Sequence, residues 1–436
     1  MKDPKVTNQF LYKIRGATKL DIVKVFSLTS ISTLVKMLAG FISIKVVAVI
    51  IGPAGVALLG QLNNFSAIIM AIATGGITTG ITKYISQYKE DSHVVKDYTC
   101  AAVKISLFCT GVCGIFLVGC YSLLSKKFLL DAQYGFVFIV FGVTLIFYTA
   151  NTLLLAVING YKQFDLYVKI SIVSSVVGLG LSLALVIPFG INGALLNAVT
   201  SQSLIFVIAL IIARKKRLFY LNKPYIWKSG FDSDKTIKLL RFSIMALVSG
   251  FAVPVSQLII RGYIEDKFSL QSAGWWEGIN RLSAMWLMII VSSFSVYYLP
   301  RLSELTSGHE IWREIKTAYK IIMPCLFVGL SFVYFSRFII INVVFSPEFH
   351  GMSELFLWQV IGDFFKISAW LVAYLMHAKA MTRFFIITEI GFTALYVFMA
   401  IILAKSLGLP GIVLAYAINY AIYWIVMWWS IYKRLK

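Results

Sequence analysis

Charged residues are scarce in this chain, and acids are the scarcest of them. Of its 436 residues only 14% are Asp, Glu, Lys or Arg, and 19 acids stand against 40 bases. Soluble domains carry roughly 25% charged residues, whereas 59% of this chain is hydrophobic. Apolar segments of about 20 residues, each long enough to cross a bilayer, recur from end to end. This pattern excludes a soluble globular protein and indicates a polytopic membrane protein.

The residues that build metal and catalytic centres are also few. The chain has five cysteines and four scattered histidines. Cys109 and Cys113 are one helical turn apart, but no histidine or carboxylate joins them as a metal site requires. There is no glycine-rich nucleotide loop, no cluster of carboxylates and no Ser/His/Asp set. We therefore expect no metal site, no cofactor and no enzymatic activity.

The N terminus lacks the features of a removable signal peptide. The stretch from Met1 to Leu20 is polar and basic, without an apolar core followed by small residues. We therefore expect the first apolar helix to be retained. The net charge of +21 is explained by Lys and Arg on cytoplasmic loops, as the positive-inside rule requires, and does not indicate a nucleic-acid partner.

Apolar runs separated by Gly, Pro, Asn and Ser predict about twelve membrane helices. The predicted fold is therefore an all-α integral membrane protein. The predicted spans are 24–51, 58–85, 98–124, 135–158, 166–188, 192–213, 237–261, 275–299, 317–344, 354–377, 384–405 and 410–432.

Clusters of basic residues predict the topology and divide the chain. The N-terminal arm, the joint that begins at Arg214 and the C-terminal tail are all basic, so all three are expected on the cytoplasmic side. Both termini are then cytoplasmic, which an even number of spans satisfies. The predicted units are a cytoplasmic arm (1–22), an N-lobe of helices 1–6 (23–213), a basic cytoplasmic linker (214–236) and a C-lobe of helices 7–12 (237–436).

Weak internal similarity relates the two halves at an offset of 217–219 residues. In the sixth and twelfth helices Gly190 falls opposite Gly408, and Gly193 opposite Gly411. Both copies begin on the cytoplasmic side, so the repeat is parallel. The sequence therefore predicts two pseudo-symmetric six-helix bundles, which typically rock about a site at their interface and expose it to each side in turn.

Polar and ionisable residues within the predicted helices are the candidate functional residues. Such groups usually face a bundle interior or a water-filled cavity. The candidates for substrate binding are Lys36, Asn63, Lys83, Arg261, Arg281 and Lys366. The candidates for ion coupling or for pairs that hold the lobes together are Lys45, Glu277, Asp363, Lys379, Arg383 and Glu389.

Position favours a structural role for some of these residues. Lys83, Lys379 and Arg383 lie near predicted helix ends, where their side chains can snorkel to the interface. For Lys45 the sequence favours neither snorkelling nor a functional role. Two pairs have the spacing of one helical face, and each can be a structural ion pair or a functional one. These pairs are Glu277 with Arg281 and Asp363 with Lys366.

Lys36 has no acid within a turn or two on its own helix and is predicted near mid-bilayer, and Arg261 has no acid within its predicted span, 237–261. For these two a role in a cavity is favoured. A mainly cationic set of residues suits an anionic group such as phosphate, whereas a pump for cationic drugs would carry unpaired carboxylates. Aromatic residues between the charges indicate either an interfacial belt with core packing or stacking against sugar rings.

Several stretches carry a resemblance to a known family. They are "STLVKMLAG" (32–40), "GPAGVAL" (52–58), "GITKYISQY" (80–88), "SSFSVYYLPRLSELT" (292–306), "WQVIGDFFKISAW" (358–370) and "AKAMTRFFIITEI" (378–390). In these stretches, which occur in the expected order along nearly the whole chain, the sequence resembles Wzx-type polysaccharide-repeat (O-antigen) flippases of the multidrug/oligosaccharidyl-lipid/polysaccharide exporter superfamily. Charged residues stand where that family places them at positions 36, 45, 83, 363, 366, 379, 383 and 389.

The resemblance implies a two-lobed, multi-pass transporter of the bacterial inner membrane. The implied substrate is an undecaprenyl-pyrophosphate-linked oligosaccharide, either lipid III of enterobacterial common antigen or a related O-antigen repeat, carried from the cytoplasmic to the periplasmic leaflet. We expect a cationic cavity between the lobes, contacts with membrane lipids and with other glycan-assembly membrane proteins, and coupling to a proton or sodium gradient. The alternatives are a cation-coupled multidrug exporter of the same superfamily and, from a different class, a glycan-polymerising enzyme or a scaffold.

Overall fold

The computed structural model describes residues 4–214, 233–379 and 381–435, and every regular element in these ranges is a helix. Side-chain environments are described from Ser30 onward. The first helix begins at Pro4 and so reaches back into the predicted N-terminal arm. Most of the predicted linker, residues 215–232, lies outside the described residues.

The N-lobe consists of two long helices, each broken at a glycine, and the shorter helices between them. Gly52 divides α1 into α1a and α1b, and Gly190 divides α6 into α6a and α6b. The helices are α1 (Pro4–Ala73), α2 (Thr78–Tyr88), α3 (Ser92–Gly119), α4 (Tyr121–Phe128), α5 (Gly135–Gly160) and α6 (Phe164–Arg214), with a short 3-10 turn at Ala132–Tyr134.

The C-lobe repeats this arrangement with more interruptions. A π-helical turn, Phe294–Tyr298, follows α8, and a 3-10 segment, Pro347–Leu355, precedes α12. The helices are α7 (Ser233–Lys267), α8 (Leu270–Ser293), α9 (Leu299–Glu304), α10 (Gly308–Phe335), α11 (Arg337–Val344), α12 (Phe356–Ala378), α13 (Thr382–Leu407) and α14 (Leu409–Leu435).

The described helices are close to the predicted number of membrane crossings. Nine stretches of the described residues are long and apolar enough to span a bilayer. Two of these, Ser30–Ala73 and Phe164–Arg214, are broken at a glycine and are each long enough for two crossings. The twelfth crossing, predicted in α8 (Leu270–Ser293), falls on a helix that is long enough but less apolar. The cytoplasmic position of both ends of the chain stays a prediction.

The corners before the sixth and twelfth helices show why the repeat is visible in the sequence. Gly190 has φ 54° and Gly408 has φ 67°, a left-handed conformation that strongly favours glycine. Three residues later, a β-carbon at Gly193 would strike the carbonyl of Leu185, and one at Gly411 would strike that of Leu403. The two corners therefore have the same backbone geometry, as a pseudo-symmetric pair of bundles requires.

The two lobes pack against each other chiefly through α1, α7 and α8. The closest approach is at Gly274, where a β-carbon would collide with the backbone of Pro53. Along the same contact Gly40 faces Met285, and Gly250 faces Ala71. Small residues thus allow the backbones of the two lobes to approach closely, as is usual for helix packing in membranes.

Candidate functional site

The N-lobe holds a polar cavity of about 320 Å³. It lies between α1a, α5 and both halves of α6. Its lining combines one lysine with amides and hydroxyls, and Tyr167 is the aromatic residue among them. The polar lining residues are Lys36, Asn151, Tyr167, Ser171, Ser174, Ser175, Asn197, Ser201 and Gln202.

Lys36 is half-buried in this cavity. Within the part of the chain that the structure describes, no carboxylate or other acceptor lies within ion-pair or hydrogen-bond distance of its ammonium group. Asn151 donates to Gln202 Oε1 at 3.1 Å, while Asn151 Oδ1 and Asn197 Oδ1 are buried without a partner. The cavity therefore presents one cation without a partner among uncharged amides and hydroxyls, and this lysine can bind an anionic group.

The position of Lys36 along α1a can be given relative to the turn at Gly52. At 1.5 Å per residue Lys36 lies about 24 Å along α1a from Gly52, where the chain turns. Tyr167, on the opposite wall of the cavity, is only three residues from the start of α6 at Phe164. The cavity thus lies toward the end of the lobe that carries the α5–α6 turn, and the position of Lys36 near mid-bilayer stays a prediction.

The C-lobe holds a larger cavity of about 670 Å³. It lies between α7, α8, α12, α13 and α14, and aromatic residues form much of its wall. Its aromatic lining residues are Trp370, Tyr374, Phe385, Phe392, Tyr396, Tyr416, Tyr420 and Tyr423, and its polar ones include Gln257, Asn280, Lys366, His377, Thr388, Glu389, Thr393 and Asn419.

Asp363 is fully buried on the wall of α12 and is surrounded by donors. The Ser283 hydroxyl donates to its carboxylate at 2.7 Å, Trp286 Nε1 at 2.8 Å and the Tyr416 hydroxyl at 2.7 Å. Gln359 adds a longer bond of 3.3 Å. The predicted ion pair with Lys366 is not formed, and the carboxylate instead accepts hydrogen bonds from neutral donors on α8, on α14 and on α12 itself.

Lys366 instead lies among aromatic rings. Its Nζ is 5.1 Å from the ring centres of Trp370 and Tyr420 and 5.4 Å from that of Tyr416. These separations are typical of cation–π contacts. Glu389 lines the same cavity from α13, and in the described residues no hydrogen bond or ion pair holds its carboxylate.

Arg261 belongs to a buried network at the contact between the lobes. Its guanidinium forms an ion pair with Glu277, lies 3.5 Å from Gln61 Oε1 and stacks over Trp276 at 5.4 Å. The assumption that Arg261 lacks a partner is therefore wrong, because Glu277 lies on a different helix. The network lies outside the linings of both cavities.

The predicted pair of Glu277 and Arg281 is confirmed, with Arg281 Nε 2.8 Å from Glu277 Oε1. The Glu277 carboxylate also packs on Gly60 of α1b, where a β-carbon would displace it. This group of charges thus joins two C-lobe helices and closes against the N-lobe.

The remaining predicted residues lie apart from the cavities. Lys379 donates to the carbonyls of Ser303 at 3.2 Å and Leu305 at 2.6 Å, both within its own lobe, so an interlobe pair is wrong for this residue. Lys83 is exposed midway along α2, with Nζ 5.7 Å from the ring of Tyr84. Three others are exposed and line neither cavity: Lys45, Asn63 and Arg383.

Sequence reasoning missed Asn151, Asn197 and Asn419, which line the cavities and whose buried carbonyl oxygens have no hydrogen-bond partner among the described residues. An asparagine within an apolar run is the signal that could have revealed them. Both cavities lie within single lobes, whereas the prediction was one cationic cavity between the lobes. The cationic character belongs to the N-lobe cavity, since the C-lobe cavity carries Glu389 beside Lys366.

Comparisons with known proteins agree with this architecture. A family model described as "Polysaccharide biosynthesis protein" matches residues 22–306. The chain is 31% identical over 409 residues to the Lipid III flippase of Escherichia coli (strain K12), covering 93% of this chain and 96% of that protein, and the Shigella flexneri Lipid III flippase gives the same values.

Solved structures of low sequence identity share the fold. An inward-facing multidrug resistance MATE family transporter of the MOP superfamily superimposes with a TM-score of 0.73 at 13% identity, covering 92% of this chain and 98% of that one. A MOP superfamily transporter from Pyrococcus furiosus gives a TM-score of 0.65 at 15% identity, covering 94% of this chain and 95% of that one.

Proposed function

Because the chain belongs to the polysaccharide biosynthesis protein family, we propose that it flips an undecaprenyl-pyrophosphate-linked oligosaccharide across the inner membrane. The substrate is lipid III of enterobacterial common antigen or a related O-antigen repeat. Transport runs from the cytoplasmic to the periplasmic leaflet by alternating access of the two lobes. Support comes from the two Lipid III flippases, which match almost the full length of this chain.

The observation that carries the proposal is Lys36, a cation without a partner among the described residues, in a polar cavity of the N-lobe. A lysine in a membrane helix costs about 2.5–3.5 kcal/mol near the bilayer centre, so an unpaired one is retained for a function. Its ammonium supplies a point charge for the pyrophosphate.

In this proposal the chain is a transporter and not an enzyme, and it works without a resident cofactor. The hydrophilic head group crosses inside the protein while the polyprenyl tail remains in lipid. A proton or sodium gradient drives net movement, with Glu389 in the C-lobe cavity as the candidate coupling acid. Its partners are membrane lipids and other glycan-assembly membrane proteins, with no nucleic acid among them.

Depletion of the protein tests the proposal in cells. We expect a lipid-linked oligosaccharide to accumulate on the cytoplasmic face, and mass spectrometry of that lipid identifies its sugars. Complementation with wild type and with Lys36→Arg should restore export, whereas Lys36→Ala at equal expression should not. Normal export in depleted cells, or full complementation by Lys36→Ala, contradicts the proposal.

One observation favours the alternative of cation-coupled drug export: Glu389 is a carboxylate without an ion pair among the described residues that line the C-lobe cavity. A multidrug exporter would lower the cellular accumulation of lipophilic cationic dyes. We therefore expect dye accumulation to be the same in depleted and wild-type cells. A rise in dye content upon depletion, reversed by wild type and not by Glu389→Gln, supports the alternative.

A further inference from the structure

The C-lobe cavity differs from the N-lobe cavity in size and in the chemistry of its wall. It has about 670 Å³ against about 320 Å³, and both values fall in or near the range of small-molecule sites. Trp370 and five tyrosines line it, whereas the N-lobe cavity has Tyr167 alone among the aromatic residues. Apolar ring faces with a few fixed polar groups are the usual lining of a site for a flat or ring-shaped ligand.

Three polar groups of the C-lobe cavity supply hydrogen-bond acceptors. Asn419 is only 4% exposed, and its Oδ1 has no hydrogen-bond partner among the described residues. Asn280 already donates through Nδ2 to the carbonyl of Trp276 at 2.8 Å, so its Oδ1 is the atom left for a ligand. Glu389 adds a carboxylate from the opposite wall. A ligand with several hydroxyl donors would satisfy all three.

The position of Lys366 argues against a cationic ligand. Its ammonium already occupies the space between the faces of Trp370, Tyr416 and Tyr420, where a second cation would meet like charge. Asp363 offers no direct contact to one either, because it is fully buried and its carboxylate accepts hydrogen bonds from Ser283, Trp286 and Tyr416. Lys366 can still donate to an uncharged oxygen.

From these observations we propose that the C-lobe cavity is a binding site for the sugar rings of the substrate. The ring surfaces of Trp370 and the tyrosines that Lys366 does not cover contact the apolar faces of the sugar rings, and Asn419 and Glu389 accept hydrogen bonds from the sugar hydroxyl groups. The pyrophosphate occupies the N-lobe cavity at Lys36. The two ends of one head group are thus held by different lobes, so that a rocking motion of the lobes carries both. This assignment rests on the proposed function.

The assignment of the sugar rings to the C-lobe and of the pyrophosphate to the N-lobe is tested by measuring the binding of each part separately. The full chain in lipid nanodiscs is titrated with two probes by calorimetry. One probe is the lipid-free oligosaccharide released by mild acid from the lipid that accumulates upon depletion, and the other is inorganic pyrophosphate. The C-lobe variants are Trp370→Ala and Asn419→Ala, and Lys36→Ala is the N-lobe variant.

We expect Trp370→Ala and Asn419→Ala each to weaken oligosaccharide binding about tenfold, the scale of losing one anchoring contact, and to leave pyrophosphate binding within twofold. Lys36→Ala should show the opposite pattern. Trp429→Ala is the matched control, because Trp429 is 65% exposed on α14 and should bind both probes normally. Trp370→Phe keeps an apolar ring and should lose less than Trp370→Ala, which separates a binding defect from misfolding.

Unchanged oligosaccharide affinity in both C-lobe variants overturns the assignment, as does a loss confined to Lys36→Ala. Flipping of fluorescently labelled lipid-linked glycan in proteoliposomes distinguishes failure of the C-lobe assignment from failure of the proposed function. If wild type flips the lipid and the C-lobe variants bind the oligosaccharide normally, only the C-lobe assignment fails. If wild type does not flip it, the proposed function fails as well.

Discussion

Lys36 in the N-lobe and two buried charges of the C-lobe, Arg261 and Asp363, differ in whether they have partners in the protein. In the N-lobe cavity Lys36 has no partner among the described residues. In the C-lobe Arg261 is paired with Glu277, and Asp363 accepts bonds from Ser283 and its neighbours. Taking a charge out of water costs several kcal/mol unless partners restore its hydrogen bonds. A charge with partners in the protein can therefore stabilise the fold, whereas a charge without them needs a ligand or water to restore its hydrogen bonds.

This difference predicts different outcomes for similar substitutions in the two lobes. Removal of a partnered charge should lower stability first, because it leaves buried groups unsatisfied. Removal of the unpartnered lysine should lower transport with little effect on stability. The following predictions begin with the largest expected change in stability.

The substitution Arg261→Met should have the largest effect. Arg261 is 0% exposed, and its loss leaves Glu277 buried at the lobe contact with only Arg281 as partner. Removing one member of a buried ion pair costs about 3–5 kcal/mol. We expect a clear fall in the thermal denaturation midpoint, measured in detergent by fluorescence-detected size exclusion.

The double variant Arg261→Met with Glu277→Met is the control for that prediction. Replacing both members of a buried pair by apolar residues of similar size is often neutral for stability. The double variant should therefore recover much of the midpoint lost by Arg261→Met alone. A double variant as unstable as the single one contradicts the role assigned to this pair, and so does a single variant as stable as wild type.

The substitution Asp363→Ala should have the next largest effect. It leaves the donors of Trp286 and Tyr416 without an acceptor in the protein interior, and each unsatisfied group costs about 1–3 kcal/mol. Asp363→Asn keeps a carbonyl oxygen and should be the milder change. The same thermal assay distinguishes them, and equal midpoints for the two variants would show that the hydrogen bonds do not stabilise α12.

The fold was largely predictable because its signals are local. Apolar runs and turn glycines such as Gly190 and Gly408 mark the crossings and the repeat within short windows. The contacts of the buried charges were not predictable in this way. Arg261 meets a glutamate 16 positions away on another helix, and Asp363 meets a serine 80 positions away. Helical spacing reveals only partners on the same helix, such as Glu277 and Arg281.

The absence of a partner was predictable for Lys36 only in part. Its own helix offers no acid within a turn or two, but an acid on α5 or α6 could have satisfied it, as Glu277 satisfies Arg261. The structure places asparagines, glutamine and serines there instead. The start of α1a was not predictable, because its apolar run merges into a basic arm and the helix extends back to Pro4.

For Lys36→Ala we expect normal stability and defective transport. Because no protein partner among the described residues is lost, the free energy of unfolding should change by no more than about 0.5 kcal/mol, as for a neutral substitution. The denaturation midpoint should therefore match that of wild type. Flipping in proteoliposomes should fall about tenfold or more, as for the loss of a charge-assisted contact to phosphate. Lys36→Arg, which keeps the charge, should retain most activity. A destabilised Lys36→Ala would place this lysine with the structural charges.

The substitution Lys45→Ala should have the smallest effect of all. Lys45 is nine positions from Lys36, which places it on the opposite face of a straight helix, and its exposed side chain lines neither cavity. A lysine that reaches the membrane interface neither holds the fold together nor contacts a head group inside the N-lobe. Midpoint and flipping rate should both match wild type in the assays used for Lys36→Ala. A transport defect comparable to that of Lys36→Ala would show that charge anywhere on α1a suffices, and that the N-lobe cavity is not the reason Lys36 is needed.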